Sequence, residues 1–389
     1  MKIIKKDGTV EGWNGEKIKE AVYKAAARVN QYVEPDILDK LVEKVHSCLI
    51  IDRDAPTKDL HKEVIHYLRY FGLDDIANSY QEYRDYKNTY AKSFEKVKDE
   101  ADNVLLLGDR ENANFDSSLV STKGSLIKGY LTKELYRQFY LSKEEKELTK
   151  RGDIYIHDMR DMLMGSVNCC LFDIGNVLRG GFSMSNVDYT EPTSVLSALQ
   201  VIGDITLVAT AQQFGGFTLA EIDKVLLPYA KKTYDNAFKK YFEQCNMEYD
   251  EYCAMAMGDL KRELEQGFQS LELKLNTVPC SRGDFAFTTL TFGTWDIMMD
   301  DLDRDIMLMI GQTILETRVK GHGGKQVVFP KLVFLYDEDK IKEDEDHKKL
   351  FELAVKCSSK CMYPDYLSLN HGKVADIYKR TGAITSPIN

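Results

Sequence analysis

The segment from Thr193 to Gln213 places the tightest limit on what this chain can fold into. Val195, Leu196, Leu199, Val201, Ile202, Ile205, Leu207 and Val208 cover most sides of one helix instead of a single stripe. A helix that is apolar nearly all round is stable only when other elements enclose it. It therefore belongs inside a domain. The 389 residues leave room for two or more such units. At 43% hydrophobic and 29% charged, the composition is that of an ordinary globular protein. No apolar run approaches the roughly 18–20 residues that span a bilayer. The start, MKIIKKDG, has no apolar signal core. Eight cysteines without paired spacing are expected to be reduced thiols in a cytoplasmic protein with no membrane partner. A net charge of −10 disfavours a nucleic acid as the main partner, but allows a nucleotide on a local basic patch.

Residues from Met1 to about Lys87 read as a small separate unit. Lys2 to Lys5 and Gly8 to Val10 suggest a hairpin turning at Asp7-Gly8. Ile18, Ala21, Val22, Ala25, Ala26 and Val29 share one helical face behind an Asn14 cap. A second helix starts near Pro35, a third is capped by Thr57, and Asp75 to Tyr86 makes a fourth. The charged segment from Ser93 to Asn112 is expected to be a helical connector, and a helical pattern runs from Lys123 to Leu148.

Ile154-Tyr155-Ile156-His157 alternates like a short strand. Asn168-Cys169-Cys170 then opens another apolar run. Successive strand residues face opposite ways, so one of the two cysteines at most is presented to a pocket while the other packs. By itself, such a thiol reads as core filler. GGFSMSNVDYTEP is expected to be a turn-rich loop, and Phe214-Gly215-Gly216 a glycine cap on the apolar helix. Asp223 reads as a surface or capping acid. Two amphipathic helices fill about Ala220 to Ser270, and Asn276-Thr277 a turn. Phe285, Phe287, Thr289 and Thr291 alternate as a strand, with a further helix over Arg304 to Val319. Gly321 to Lys325 reads as a flexible turn, Pro330 as a bulge or an unpaired position, and Asp337 to Asp346 as a solvated loop. Cys357 and Cys361 share a helix face, but two ligands fall short of the four of structural zinc, so they read as core and no metal site is expected.

GDIYIHD, NCC and LFDIGNVLRGGF together resemble the anaerobic (class III) ribonucleoside-triphosphate reductases. ENANFDSSLVSTKGSL, the Gly-Gly turn before Ile-Asp, FPKL and MYPD are similar to the same family. The resemblance implies that Cys169 is catalytic, lying under the substrate ribose, with Asn168 beside it at the substrate. At the front, IIKKDGTVE, EKIKEAV, TKDLHKEV and IANSYQEYRDYK resemble the ATP-cone. Lys5, Lys6, Glu11, Lys17, Thr57 and His61 then match positions that contact ATP or dATP as allosteric effectors. Lysines suit phosphates as point charges, and a helix start at Thr57 favours an anion. Singly, Thr57 reads as a cap, His61 as a residue on an exposed helix side, and the lysines as solvated strand charges; their joint order favours the nucleotide.

The implied fold class is α/β: a small, mostly helical ATP-cone over 1–90, a connector over 91–122, and the N-terminal half of a ten-stranded glycyl-radical barrel over 123–389. Such a half barrel is expected to leave an unpaired sheet edge. The implied activity is reduction of ribonucleoside triphosphates to deoxyribonucleoside triphosphates, with Cys169 supplying reducing hydrogen as a buried, neutral thiol. Thr381 to Asn389 resembles the segment just before the family's thiyl cysteine, with Ile388 and Asn389 in its Met and Gly places. The chain is accordingly expected to be a split or fragment subunit, with the thiyl cysteine, glycyl radical and zinc cluster in a missing C-terminal part. Implied partners are that C-terminal half, a radical-SAM activating protein, nucleotide substrates, and formate or a thioredoxin-like reductant, in a homo-oligomer when complete. The alternative is a nucleotide-sensing remnant or regulator without chemistry.

Overall fold

The computed structural model describes residues 2–5, 8–49, 54–106, 115–165, 167–184, 186–213, 215–280 and 283–384. Lys6, Asp7 of the first turn, Phe214 and the motif from Thr385 to Asn389 lie outside the described residues. The chain forms two compact units, Met1–Asp99 and Glu100–Asn389.

In the first unit, β1 (Lys2–Ile4) pairs antiparallel with β2 (Val10–Gly12), with Ile3 opposite Glu11. Helix α1 (Gly15–Arg28) begins where the Asn14 side chain accepts from the N–H groups of Glu16 and Lys17, at 3.0 and 3.4 Å. Those amides have no partner within the helix, so the cap supplies one. Helix α2 (Pro35–Leu49) buries Leu38, Leu41, Val45 and Leu49. Strand β3 (Asp54–Pro56) runs parallel to β1 on its other side. Helix α3 (Thr57–Tyr70) buries Val64 and Leu68, and Ile76, Ala77 and Tyr80 of α4 (Asp74–Leu106) complete the core.

Two expectations fail here. Thr57 is the first helical residue and not the cap; its hydroxyl donates to the Ile4 carbonyl at 2.8 Å, tying α3 to β1. The fourth helix runs on into the connector as one element as far as Leu106, because nothing in Tyr86 to Ser93 breaks the helical run; 107–114 lie outside the described residues.

The second unit opens with α5 (Val120–Phe139) and α6 (Lys143–Arg151). The helical pattern breaks between them, where Ser142 and Glu145 form a reciprocal capping box. Ile154 to His157 is not a strand: it pairs with no strand among the described residues, and Tyr155 is 82% exposed. Next come β4 (Cys170–Phe172), α7 (Ile174–Leu178) and a hairpin of β5 (Phe182–Met184) with β6 (Val187–Tyr189), where a loop was expected. The apolar helix is α8 (Val195–Thr210), with Ala198, Leu199, Ile202 and Thr206 fully enclosed. Its cap is Ala211, so Gly215 and Gly216 do not end it.

There follow β7 (Phe217–Leu219), α9 (Ile222–Gln244), α10 (Tyr249–Thr277), β8 (Thr288–Phe292), α11 (Asp301–Lys320) and β9 (Lys331–Tyr336). The unit closes with α12 (Glu338–Glu343), α13 (Glu345–Cys361), β10 (Asp365–Ser368) and α14 (Lys373–Thr381). The sheet order is β10-β9-β8-β7-β4, parallel throughout. Cys170 stands opposite Phe217, Leu290 opposite both Leu219 and Leu332, and Asp365 opposite Val333. Five parallel strands interleaved with helices are the α/β architecture expected of half a ten-stranded barrel. Among the described residues, β4 and β10 are its edges.

Three local readings change. Every residue of β8 is buried instead of every second one, since a central parallel strand is covered on both faces. The acidic run is helical: Asp337 caps α12 and Asp344 caps α13, so these charges satisfy backbone donors. Asn276 lies in the last turn of α10, not in a free turn. Its amide group accepts from Val328 and Phe329 N–H and donates to the Glu272 and Phe329 carbonyls. Pro330 sits just before β9, unpaired as expected. Cys357 and Cys361 point their thiols at the Leu315 and Arg318 carbonyls of α11, a packing role.

Candidate functional site

Cys169 immediately precedes β4 and, contrary to the burial expected of it, is exposed. Its place accounts for this: Cys169 leads into β4, an edge strand among the described residues. Cys170 joins the core, half-buried. Burial, helped by the neighbouring Cys169, pushes the Cys170 thiol up from its ordinary value. The doublet therefore presents one thiol and packs the other.

The backbone around Cys169 is held from one side by Gln213, Gly215 and Gly216. Val167 bridges Gln213. Gly215 N–H donates to the Asn168 carbonyl at 2.6 Å, and Cys170 N–H donates to the Gly216 carbonyl at 3.0 Å. A Cβ at position 215 would stand 2.5 Å from the Asn168 carbonyl oxygen and nearer still to its side-chain oxygen. Gly215 is thus required for close approach to the cysteine strand. Gln213 is 4% exposed, and its side-chain Nε2 donates to the carbonyls of Gly215 (3.1 Å) and Gly216 (2.6 Å).

Gln213 also lines a cavity of about 450 Å³, whose other walls include Ser121, Ser125 and Lys128 of α5 with Arg160 and Asp161. Arg160 Nε donates to Asp161 at 2.9 Å, and its guanidinium lies 5.4 Å from the centre of the Phe115 ring. Cys169 lies outside these walls. A second cavity, about 630 Å³, opens at the C-terminal ends of β4 and β7 between Phe172, Arg179, Glu221, Lys224, Tyr229 and Ile384. Its rim mixes both signs of charge. Among the described residues, no three His, Cys, Asp or Glu side chains converge as metal ligands.

Asp223 was misplaced by the sequence reading: it is 1% exposed. Its carboxylate accepts from Gly293 N–H at 2.8 Å and Lys224 N–H at 3.0 Å, tying α9 to the end of β8. Burial outweighs these bonds and pushes the carboxyl up to about 6. An acid in a first helical turn gives no sequence signal of such burial.

In the first unit, Lys5 and Lys17 both pair with Glu11, Lys5 at 2.5 Å. The hydrogen bond from Lys17, then that from Lys5, hold Glu11 down at about 2. Thr57 binds the carbonyl beside Lys5, at Ile4. His61, one turn further along α3, is half-buried instead of on an exposed side; its Nδ1 and the Tyr80 hydroxyl lie 2.5 Å apart. Burial pushes that hydroxyl up. Lys5, Glu11, Lys17 and Thr57 thus gather near the end of β1. An incoming anion must compete with Glu11 for both ammonium groups.

A family model described as anaerobic ribonucleoside-triphosphate reductase matches residues 111–385, and one described as ATP cone domain matches residues 1–89. The anaerobic ribonucleoside-triphosphate reductase of Escherichia coli (strain K12) is 29% identical over 404 residues, covering 99% of this chain and 53% of the relative. That of Enterobacteria phage T4 is 33% identical over 268 residues, covering 68% of this chain and 42% of the relative. The chain spans about half the length of the curated relatives it matches. A solved anaerobic ribonucleotide reductase aligns with a TM-score of 0.53 at 15% identity, over 92% of this chain and 52% of that one, a likeness of fold.

Proposed function

The chain belongs to the anaerobic ribonucleoside-triphosphate reductase family, and on that premise we propose that it takes part in reducing ribonucleoside triphosphates, working with the sequence that makes up the relatives' other half. The observation that carries this reading is Cys169: an exposed thiol whose two neighbours are each hydrogen-bonded to the Gly215-Gly216 backbone. That geometry holds a thiol in one place without burying it in the chain's own core. In the reading, Cys169 supplies reducing hydrogen, and Asn168 contacts the substrate. The adjoining cavity, at about 450 Å³, falls in the size range of small-molecule sites. With Arg160 paired to Asp161, Lys128 leaves its walls a net positive charge suited to an anionic substrate.

The front unit is the regulatory part in this proposal, with ATP or dATP meeting Lys5, Lys6, Glu11, Lys17, Thr57 and His61. An effector can bias activity only through different affinity for two states of the assembly. The thiyl cysteine, glycyl radical and zinc belong, in the family pattern, to the relatives' other half. A radical-SAM activating protein, formate or a thioredoxin-like reductant, and further copies of the enzyme are the remaining partners proposed, in the cytoplasm. No helix among the described residues is long and apolar enough to cross a membrane.

The test combines this chain with a candidate second half and activating protein under anoxia, and measures deoxyribonucleotide formation. Product formation that disappears with Cys169→Ser, while dATP binding persists, is the expected result. Product formation undiminished by Cys169→Ser would remove Cys169 from the chemistry. Effector binding with no turnover under any pairing would leave a nucleotide sensor without chemistry.

A further inference from the structure

We propose that Gln213 is a positioning residue for Cys169, acting through the Gly215-Gly216 turn; the inference rests on the reading of Cys169 given above. The Gly216 carbonyl accepts from both the Cys170 N–H and the Gln213 carboxamide, and the Gly215 carbonyl accepts from the same carboxamide. Gly215 in turn donates to the Asn168 carbonyl. One side chain therefore stands a single bond behind each of the two backbone links that flank the thiol.

A carboxamide of this length does this without burying a charge. Both acceptors are carbonyl oxygens, so the side chain must donate twice, and at 4% exposure water is a poor substitute. A carboxylate there would face two carbonyl oxygens with no hydrogen to give. A methionine would keep the volume and lose both donors. Because β4 is an edge strand, its register on this side is set by the β7 ladder and this turn, with no second strand to back it up among the described residues.

The experiment is amide hydrogen exchange on the full chain, comparing wild type, Gln213→Met and Gln213→Glu. In Gln213→Met, exchange at the Gly215 and Cys170 amides is expected to rise about threefold to tenfold, the factor that loss of a hydrogen bond gives a local opening. Amides of β8 and β9 should stay unchanged, since a general loss of stability would raise them too. Gln213→Glu should regain part of the wild-type protection as pH falls, since the protonated acid has one donor for the two carbonyls, judged against wild type at each pH. Unchanged Gly215 and Cys170 exchange in both variants, or an equal rise throughout β8 and β9, overturns the proposal. In the assembled enzyme, kcat is expected to fall in Gln213→Met with KM little changed. Failure of the Cys169→Ser test above would strike the catalytic reading alone, because exchange needs no turnover.

Discussion

Asp223 shows how a single buried acid can link stability to pH. Its folded carboxyl titrates at about 6, and an unfolded aspartate near 3.9. The folded state therefore holds the proton more tightly. Its favourable contribution is complete below about pH 4 and is lost as pH rises through 6. A difference of roughly two units corresponds to about 3 kcal/mol over that window. Asparagine keeps an acceptor for Gly293 N–H and cannot ionise. Chemical denaturation at pH 4 and pH 7 is expected to show Asp223→Asn gaining about 2–3 kcal/mol on wild type across the interval. A pH-independent difference would mean that the carboxyl is not desolvated as its 1% exposure implies.

At the scale of elements, Arg318 of α11 joins α10 and the segment before β9. It is fully buried, with Nε donating to Glu272 of α10 at 2.8 Å and Nη2 donating to the Pro330 carbonyl ahead of β9 at 2.6 Å. His322, in the turn after α11, meets the other Glu272 oxygen at 2.9 Å. Removing one partner of such a pair strands a buried charge, which costs about 3–5 kcal/mol, whereas replacing both by apolar side chains is often neutral. Urea denaturation should thus show Arg318→Met strongly destabilised and the Arg318→Met/Glu272→Leu double variant recovering most of the loss. A double variant worse than the sum of its singles would contradict this account.

None of that junction was legible in the sequence, because its members lie 46 residues apart and meet only through the fold. What was legible is local. The Asn14 cap, the start at Pro35 and the 3.6-residue periods gave the helices of the first unit. The Ile154–His157 alternation misled because a strand needs a partner that alternation cannot guarantee. The acidic run misled because caps and solvated loops use the same residues. At the candidate site, Asn168-Cys169 stood out by motif, but the close approach of Gly215 and the role of Gln213 depend on a neighbouring chain segment that no local pattern reports.

For the whole molecule, the two units have separate hydrophobic cores, one built on Val22, Leu41 and Leu68, the other on Ile202, Leu290 and Phe334. Separate cores permit separate unfolding transitions. Cys169 and, among the described residues, the sheet edges β4 and β10 all belong to the second unit. If the relatives' other half covers those edges, its binding should stabilise that unit alone. At about one hundred times the dissociation constant, mass action gives about 2.7 kcal/mol. For a unit spanning Glu100–Asn389, that raises the midpoint by about 4–5 °C. Differential scanning calorimetry of the chain, with and without the candidate second half, is expected to show two transitions, of which only the one from the second unit moves. Adding dATP should instead move the first, since its proposed ligands Lys5, Lys17 and Thr57 all lie there. A second half that supports deoxyribonucleotide formation yet shifts neither transition would mean that its docking surface is not the sheet edge beside Cys169.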